Sequence, residues 1–219
     1  MSDALRPAIL AAADAVAAAR QELGRLDGAA GDGDHGMTMS IGARNVHKKL
    51  AAAPTDASPA DVLRLVALAM GDVGGAIGPL YSAALVAVAA EVESAGATDG
   101  DVALLRRSAE AAEQAIVRLG HAAPGDKTVV DALHPVVESL SVANAASLDL
   151  RSAIEAAADA AETGAAATAD MVARVGRASR LGERSRGLPD AGATSFAIIV
   201  RAVADAYLHG GSGADVDRA

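Results

Sequence analysis

Apolar residues recur at intervals of three and four positions along most of the chain, as at Leu5, Ile9, Ala12, Val16 and Leu23. This spacing places them on one face of an α-helix, and no stretch of useful length alternates as a β-strand does. Only 1% of the residues are aromatic although 52% are hydrophobic, so small aliphatic side chains must build the core. Alanine favours helices and lets them pack closely. The sequence therefore predicts an all-α protein.

Glycine, proline and aspartate residues divide the periodic segments into eight predicted helices. These cover about residues 3–25, 36–52, 61–71, 78–95, 99–120, 124–145, 149–175 and 191–208. Asp99 is expected to cap the fifth helix, Pro135 to kink or fray the sixth, and Gly164 to weaken the seventh. Residues 210–219 are expected to be a frayed tail. No linker separates two units, so residues 1–219 are predicted to form a single domain.

The connections between these helices fall into two classes. Short connections make successive helices antiparallel, so alternate connections must lie at the same end of the fold. Those after the second, fourth and sixth helices are short and ordinary: PTDASP, GAT and ASLD. Those after the first, third, fifth and seventh are rich in glycine and charge: LDGAAGDGDHG, GDVGGAIGP, GHAAPGDKT and GRASRLGERSRGLPDAGATS. The up-and-down arrangement therefore predicts that all four unusual segments share one rim.

Composition excludes several classes of function. The net charge of −9 argues against a nucleic-acid surface, and the lack of cysteine excludes disulfides and thiolate metal sites. The N-terminus shows no basic segment followed by an apolar run, so no signal peptide is expected. No apolar run is expected to span a membrane, which takes roughly 20 residues, because charged residues such as Arg201 and Asp205 interrupt the last helix. We expect a soluble cytoplasmic protein.

The first unusual connection places Asp27, Asp32 and Asp34 among four glycines, just before a predicted helix. Carboxylate oxygens are hard ligands that suit Mg²⁺, and a bound cation relieves their repulsion. Glycine backbone and a helix N-terminus suit phosphate. The alternative is a solvated turn, in which Asp and Gly are common. The spacing does not match an EF-hand, since Ala43 stands where its last ligand should be, and the Gly-Lys-Ser/Thr of a Walker loop is absent.

The other three rim segments each allow a ligand contact and a purely structural alternative. His35 could contact a phosphate or lie on the surface, and Gly74-Gly75-Ala76 could admit a base or simply end a helix. Asp126-Lys127-Thr128 could be a capping cluster, or Lys127 could offset phosphate charge. Ser185 has no paired histidine or aspartate, so it is not expected to be a nucleophile. The last segment is locally basic in an acidic chain, with Arg177, Arg180, Arg184 and Arg186.

Five ordered blocks together resemble the L subunit of dihydroxyacetone kinases, which is also the C-terminal domain of the single-chain forms. The resemblance extends from Leu26 to Phe196. The blocks are Gly31-Asp-Gly-Asp-His-Gly36; Val73-Gly-Gly-Ala76 with Gly78-Pro-Leu-Tyr81; Pro124-Gly-Asp-Lys-Thr128 with Val130-Asp-Ala-Leu133; Pro135-Val-Val-Glu-Ser-Leu140; and Gly176-Arg-Ala-Ser179 with Leu181-Gly-Glu-Arg-Ser185 and Gly192-Ala-Thr-Ser195.

The resemblance implies a closed barrel of eight antiparallel helices, with ADP or ATP and two Mg²⁺ ions on one rim. It implies that the Mg²⁺ ligands are Asp27, Asp32 and Asp34. It further implies nucleotide contacts at His35, Gly36, Met37, Thr38, Ala76, Ile77, Gly120, Val129, Arg177, Asp190, Ala191 and Gly192. One departure is Ile77, where the family usually has serine, so a side-chain hydroxyl is lost beside the nucleotide.

The resemblance also implies that this chain supplies only the nucleotide half of an active site. A separate K subunit would hold dihydroxyacetone or a related keto-sugar through its own histidine, so no catalytic base is expected here. The phosphoryl donor would be ATP or a protein of the phosphotransferase system. The resemblance also allows a homodimer. Two alternatives remain: a regulatory module that holds ADP without turnover, and a fatty-acid-kinase-type domain, which shares the aspartate loop.

Overall fold

The computed structural model describes residues 2–95 and 101–210, and this part of the chain is helical without a β-strand. The α-helices are α1 (Ser2–Ala18), α2 (Arg20–Ala30), α3 (His35–Ala51), α4 (Pro59–Gly71), α5 (Ile77–Ser94), α6 (Asp101–Gly120), α7 (Val130–Ala145), α8 (Leu150–Ala167) and α9 (Ala191–Gly210). Short 3₁₀ segments cover Thr168–Asp170 and Arg177–Ser185. The all-α prediction is confirmed. The predicted cap Asp99 and the tail 211–219 lie outside the described residues.

Three predicted boundaries differ from the structure. The first predicted helix is two helices, α1 and α2, which meet at Ala19. Because α2 continues to Ala30, Asp27 is helical. The sixth begins at Val130, because the Asp131 carboxylate accepts hydrogen bonds from the backbone N–H groups of Gly125 and Thr128 and holds a turn before the helix. The seventh ends at Ala167, because the Thr168 hydroxyl accepts from the backbone N–H of Asp190 and anchors the chain where it leaves the helix.

Helix contacts follow the order of the chain. Each helix from α3 onward packs against the next one, α1 packs against α3, and α2 packs against α3 and α9. From α2 to α8 the connections are short, so successive helices there run antiparallel, whereas the connection between α8 and α9 is the long stretch 168–190. The first helix, α1, also packs against the last, α9, as a closed ring requires. The closed barrel implied by the resemblance stays a prediction that these contacts favour.

Alanine dominates the core where α7, α8 and α9 meet. Eight of the ten buried residues in that cluster are alanine, and Phe196, the only phenylalanine of the chain, packs against it and against two other core clusters. The α8 helix continues through Gly164 without a break. A Cβ there would lie 2.5 Å from the carbonyl oxygen of Asp131, so glycine allows α8 to approach α7 closely.

Two helices, α5 and α9, are long and apolar enough to cross a membrane by length and composition, contrary to the expectation from the sequence. Core helices of soluble proteins meet the same criterion. On α9, the Arg201 guanidinium pairs with Asp159 and Glu162 of α8, which is a contact between packed helices. Length and composition therefore do not distinguish a membrane span from a core helix in this chain.

Candidate functional site

The four unusual connections line one cavity of about 470 Å³. Its walls come from residues 26–38, 75–80, 116–130 and 175–192, whereas the described connections 52–58 and 146–149 contribute none. The grouping of these segments at one end of the fold therefore agrees with the topology predicted from the sequence. Predicted site residues among the lining are Asp27, Asp34, His35, Thr38, Ala76, Ile77, Gly120, Val129, Arg177, Asp190, Ala191 and Gly192.

Three predicted site residues lie outside the cavity lining. Met37 is 43% exposed on α3, and the carboxylate of Asp32 pairs with Arg177. Gly36 is buried against α2, where a Cβ would lie 2.0 Å from the carbonyl oxygen of Arg20. Glycine at position 36 therefore permits the close approach of α2 and α3, whether or not its backbone also contacts a ligand.

Asp27, Asp32 and Asp34 come together at the junction of α2 and α3. Each offers a carboxylate oxygen, and these oxygens all lie within 4.8 Å of one another. Asp27 lies in the last turn of α2 and accepts a hydrogen bond of 3.1 Å from the backbone N–H of His35. Asp34 stands at the N-terminus of α3 without using its side chain to cap the helix. Carboxylate oxygens at this spacing form a donor set suited to Mg²⁺.

Arg177 balances part of this negative charge. Its guanidinium pairs with the Asp32 carboxylate and lies 3.8 Å from an oxygen of Asp34. The Arg177 side chain is 53% exposed, so the pairing is screened by solvent and contributes at most about 1 kcal/mol. A divalent cation can therefore displace the Arg177 guanidinium from the three carboxylates with little loss of free energy.

His35 connects the start of α3 with the start of α9. Its Nε2 lies 3.0 Å from the hydroxyl of Ser195, which is fully buried. Burial lowers the pKa of His35, although the Asp27 carboxylate opposes this effect. Tyr81 is buried next to Ser195, and burial raises the pKa of its hydroxyl. His35 therefore links the aspartate cluster to α9, through its backbone N–H to Asp27 and its imidazole to Ser195.

Asp190 forms the start of α9. Its Oδ1 accepts a hydrogen bond of 2.7 Å from the backbone N–H of Ala193, as an N-cap does. Burial raises the pKa of Asp190 to about 6, while the hydrogen bond from Ala193 and the charge of Lys127 oppose the rise. Next to this cap, Ala191 and Gly192 line the cavity. A helix N-terminus placed in this way favours an anion such as phosphate.

Lys127 does not present its ammonium group to the cavity as a free cation. The residue is 3% exposed, and Nζ donates hydrogen bonds to the carbonyl oxygens of Ser185 (2.6 Å) and Leu188 (2.8 Å). Burial lowers the pKa of Lys127, whereas the Asp190 carboxylate opposes this effect. Of the two alternatives for the Asp126-Lys127-Thr128 cluster, the capping one has support, because the Thr128 hydroxyl accepts from the backbone N–H of Val130 and the Asp126 carboxylate accepts from that of Ala123. The Lys127 ammonium group instead joins two connections.

Ile77 begins α5, where its half-buried side chain packs against a core cluster that includes Leu23 and Tyr81 while it also lines the cavity. Other apolar lining residues, Leu80, Ile116 and Val175, were not identified from the sequence. Leu80 and Ile116 lie on helices and Val175 lies in the connection before Arg177, and an apolar side chain at any of these positions gives no signal that separates a cavity wall from an ordinary core. Together they provide an apolar surface suited to a planar base, built from segments far in sequence from the three carboxylates.

Comparison with known proteins assigns the chain to a family. Residues 29–205 match the DAK2 domain. A D-erythrulose kinase of Mycolicibacterium smegmatis is 44% identical over 197 residues, which are 89% of this chain and 34% of that protein. The ADP-binding subunit DhaL of the PEP-dependent dihydroxyacetone kinase of Escherichia coli is 38% identical over 180 residues, which are 82% of this chain and 84% of that subunit.

Solved structures agree with this assignment. The dihydroxyacetone kinase of C. freundii in its native form superposes with a TM-score of 0.71 at 25% identity, over 92% of this chain and 34% of that one. The same enzyme in complex with AMP-PNP and Mg²⁺ gives a TM-score of 0.69 at 25% identity. The chain thus spans about a third of the length of the D-erythrulose kinase and of the C. freundii enzyme, but most of the length of DhaL. It belongs to the DAK2 domain family and is a DhaL-type chain.

Proposed function

We propose that this chain is the nucleotide-binding subunit or domain of a keto-sugar kinase. The observation that carries the proposal is the convergence of three carboxylates, the N-terminus of α9 and an apolar wall on one cavity. Hard anionic ligands, a backbone suited to phosphate and a surface suited to a base are the three requirements of a Mg²⁺–nucleotide site. The related C. freundii enzyme, solved with AMP-PNP and Mg²⁺, supports the same ligands here.

In this proposal Asp27, Asp32 and Asp34 hold Mg²⁺, with two ions as in the family that the sequence resembles. The bound cation would neutralise phosphate charge during phosphoryl transfer. Arg177, which pairs with Asp32 and Asp34, lies where its guanidinium can bind phosphate oxygens once a cation takes its place. The remaining predicted residues would contact the nucleotide through backbone groups and apolar surface.

We propose that the phosphoryl acceptor is bound by a partner, a K subunit or K domain. The relatives include enzymes named for D-erythrulose and for dihydroxyacetone, and the matched part covers only about a third of the D-erythrulose kinase. The identity of the keto-sugar would therefore depend on the partner rather than on this chain. No catalytic base is required of this chain, because the nucleophile is a hydroxyl of the acceptor. The assembly would be cytoplasmic, with no nucleic acid or membrane as partner.

A reconstitution experiment tests this proposal. We expect the chain, mixed with the K subunit of a dihydroxyacetone kinase and Mg²⁺, to phosphorylate dihydroxyacetone or D-erythrulose. Turnover with ATP alone identifies an ATP-dependent kinase, whereas turnover only with a phosphohistidine protein identifies the phosphotransferase-system type. An Asp56→Asn variant serves as a control, because Asp56 is exposed in the connection between α3 and α4 and does not line the cavity. Failure to bind ADP in the presence of Mg²⁺ would contradict the proposal.

Ile77 favours one second candidate, a module that holds ADP without turnover. Its side chain packs into the core and offers no hydroxyl to a phosphate at the start of α5. In the same reconstitution, tight binding of ADP together with no turnover for any donor would support this candidate. Recovery of turnover in Ile77→Ser would then identify the missing hydroxyl as the reason.

A further inference from the structure

Lys127 makes contacts with both ends of the connection that carries Arg177. Its ammonium donates to the carbonyl oxygen of Met171 (3.4 Å), which precedes Arg177, and to those of Ser185 (2.6 Å) and Leu188 (2.8 Å), which follow it. An ammonium group has three N–H donors, and three carbonyl oxygens lie within reach of them. The buried Lys127 side chain therefore contacts both ends of the segment between residues 171 and 188.

The backbone of Lys127 is held in an uncommon conformation. Its φ is 61°, a left-handed value that is unfavourable for a residue with a Cβ. The surrounding turn supports this conformation, because the Asp131 carboxylate accepts from the backbone N–H groups of Gly125 and Thr128, on either side of Lys127. Strain of this kind persists only where neighbouring contacts determine it.

Further hydrogen bonds attach the same two connections to each other. The backbone N–H of Arg174 donates to the carbonyl oxygen of Asp126 (3.1 Å). The Ser185 hydroxyl accepts from the backbone N–H of Ala173 (2.9 Å) and donates to the carbonyl oxygen of Gly182 (2.6 Å), which closes the segment on itself. Arg177 lies inside this closed segment and pairs with the aspartates of the α2–α3 junction.

We propose that Lys127 is a positioning residue, which fixes the 171–188 segment so that Arg177 is directed at the aspartate cluster and at the nucleotide bound there. The inference rests on the proposed function, in which Arg177 contacts the phosphates. Lys127 itself does not bind phosphate, since its donors are used by carbonyl oxygens. Its effect on nucleotide binding passes through Arg177.

A double-mutant cycle tests this inference by calorimetric titration of Mg²⁺–ADP. Outer-shell residues of this kind change affinity by about 10- to 100-fold, and we expect Lys127→Met to lower the affinity at least about tenfold. In an Arg177→Ala background the same substitution should lower it by less than about twofold, because coupled residues are not additive. An equal loss of affinity in both backgrounds, or no loss of affinity in Lys127→Met, would overturn the inference. An unchanged affinity in Arg177→Ala alone would instead contradict the role proposed for Arg177.

Hydrogen exchange separates positioning from general support of the fold. In Lys127→Met we expect faster exchange at the backbone amides of Ala173, Arg174 and Gly187, with α7 and α8 unchanged. Lys127→Gln keeps two N–H donors and provides a second variant for the cycle if Lys127→Met does not fold. Lys48→Met on the exposed last turn of α3 is the matched control and should change neither exchange in the segment nor affinity. Equally faster exchange in α7, α8 and the segment would overturn the inference.

Discussion

Replacing Asp34 by asparagine is expected to lower the Mg²⁺-dependent affinity for ADP by at least about 100-fold, which is about 2.8 kcal/mol of binding free energy. The neutral amide is a poor replacement for an anionic oxygen beside a polyphosphate and its cation. The fold should persist, because the Asp34 side chain caps no helix and its one described ion pair is the exposed contact with Arg177. Calorimetric titration with ADP in Mg²⁺ and in EDTA measures the effect.

Asp32→Ala should behave in the same way, whereas Asp27 is a less suitable choice. The Asp27 carboxylate also accepts from the backbone N–H of His35, so its removal changes the junction of α2 and α3 as well as the ligand set. Asp56→Asn is again the control. Equal affinity of Asp34→Asn and the unmodified chain, or equal affinity in Mg²⁺ and EDTA, would show that the carboxylates do not hold the metal.

Gly36→Ala is expected to destabilise the fold by about 3 kcal/mol or more. The new Cβ would lie 2.0 Å from the carbonyl oxygen of Arg20 and 2.8 Å from the backbone nitrogen of Gly24, so α2 and α3 must move apart. For a chain of this size, each 1 kcal/mol lowers Tm by about 2–4 °C, which gives a decrease of about 6–12 °C. Thermal unfolding followed by circular dichroism measures it.

Gly74→Ala is the matched control for this substitution. A Cβ at Gly74 would have no neighbour within 4 Å, and Gly74 is not among the glycines with a positive φ. Its effect on stability should stay within about 1 kcal/mol and can be favourable, since alanine restricts the unfolded chain. If Gly36→Ala unfolds at the same temperature as Gly74→Ala, the close packing of α2 on α3 is incorrect.

Helical periodicity was sufficient to predict the class of fold and most helix positions. The predicted 36–52 and 191–208 correspond to His35–Ala51 and Ala191–Gly210, because their apolar spacing and their flanking residues indicate the same element. Local sequence signals predicted helix boundaries incorrectly where a contact with a residue distant in sequence determines the boundary. The seventh predicted helix runs to about residue 175, yet α8 ends at Ala167, where the Thr168 hydroxyl accepts a hydrogen bond from the backbone N–H of Asp190.

The candidate site could be predicted to a similar degree. Glycine and aspartate in four connections indicated one rim, because the antiparallel order of the helices determines which connections share an end. The sequence gives no sign that Lys127 points at carbonyl oxygens, since that orientation depends on a segment about 60 residues away. It likewise gave no reason to separate Leu80 or Ile116 from the core. These contacts are tertiary, and no local pattern encodes them.

Hydrogen exchange with and without Mg²⁺–ADP is the most direct test of the central claim, that one rim of the fold binds the nucleotide. Binding to the folded state should slow exchange in the four segments that line the cavity, near residues 26–38, 73–78, 120–129 and 177–193. The connections near residues 53–58 and 146–149, which contribute nothing to the lining, should hardly respond. Protection spread evenly over both sets of connections, or confined to the second set, would contradict the account.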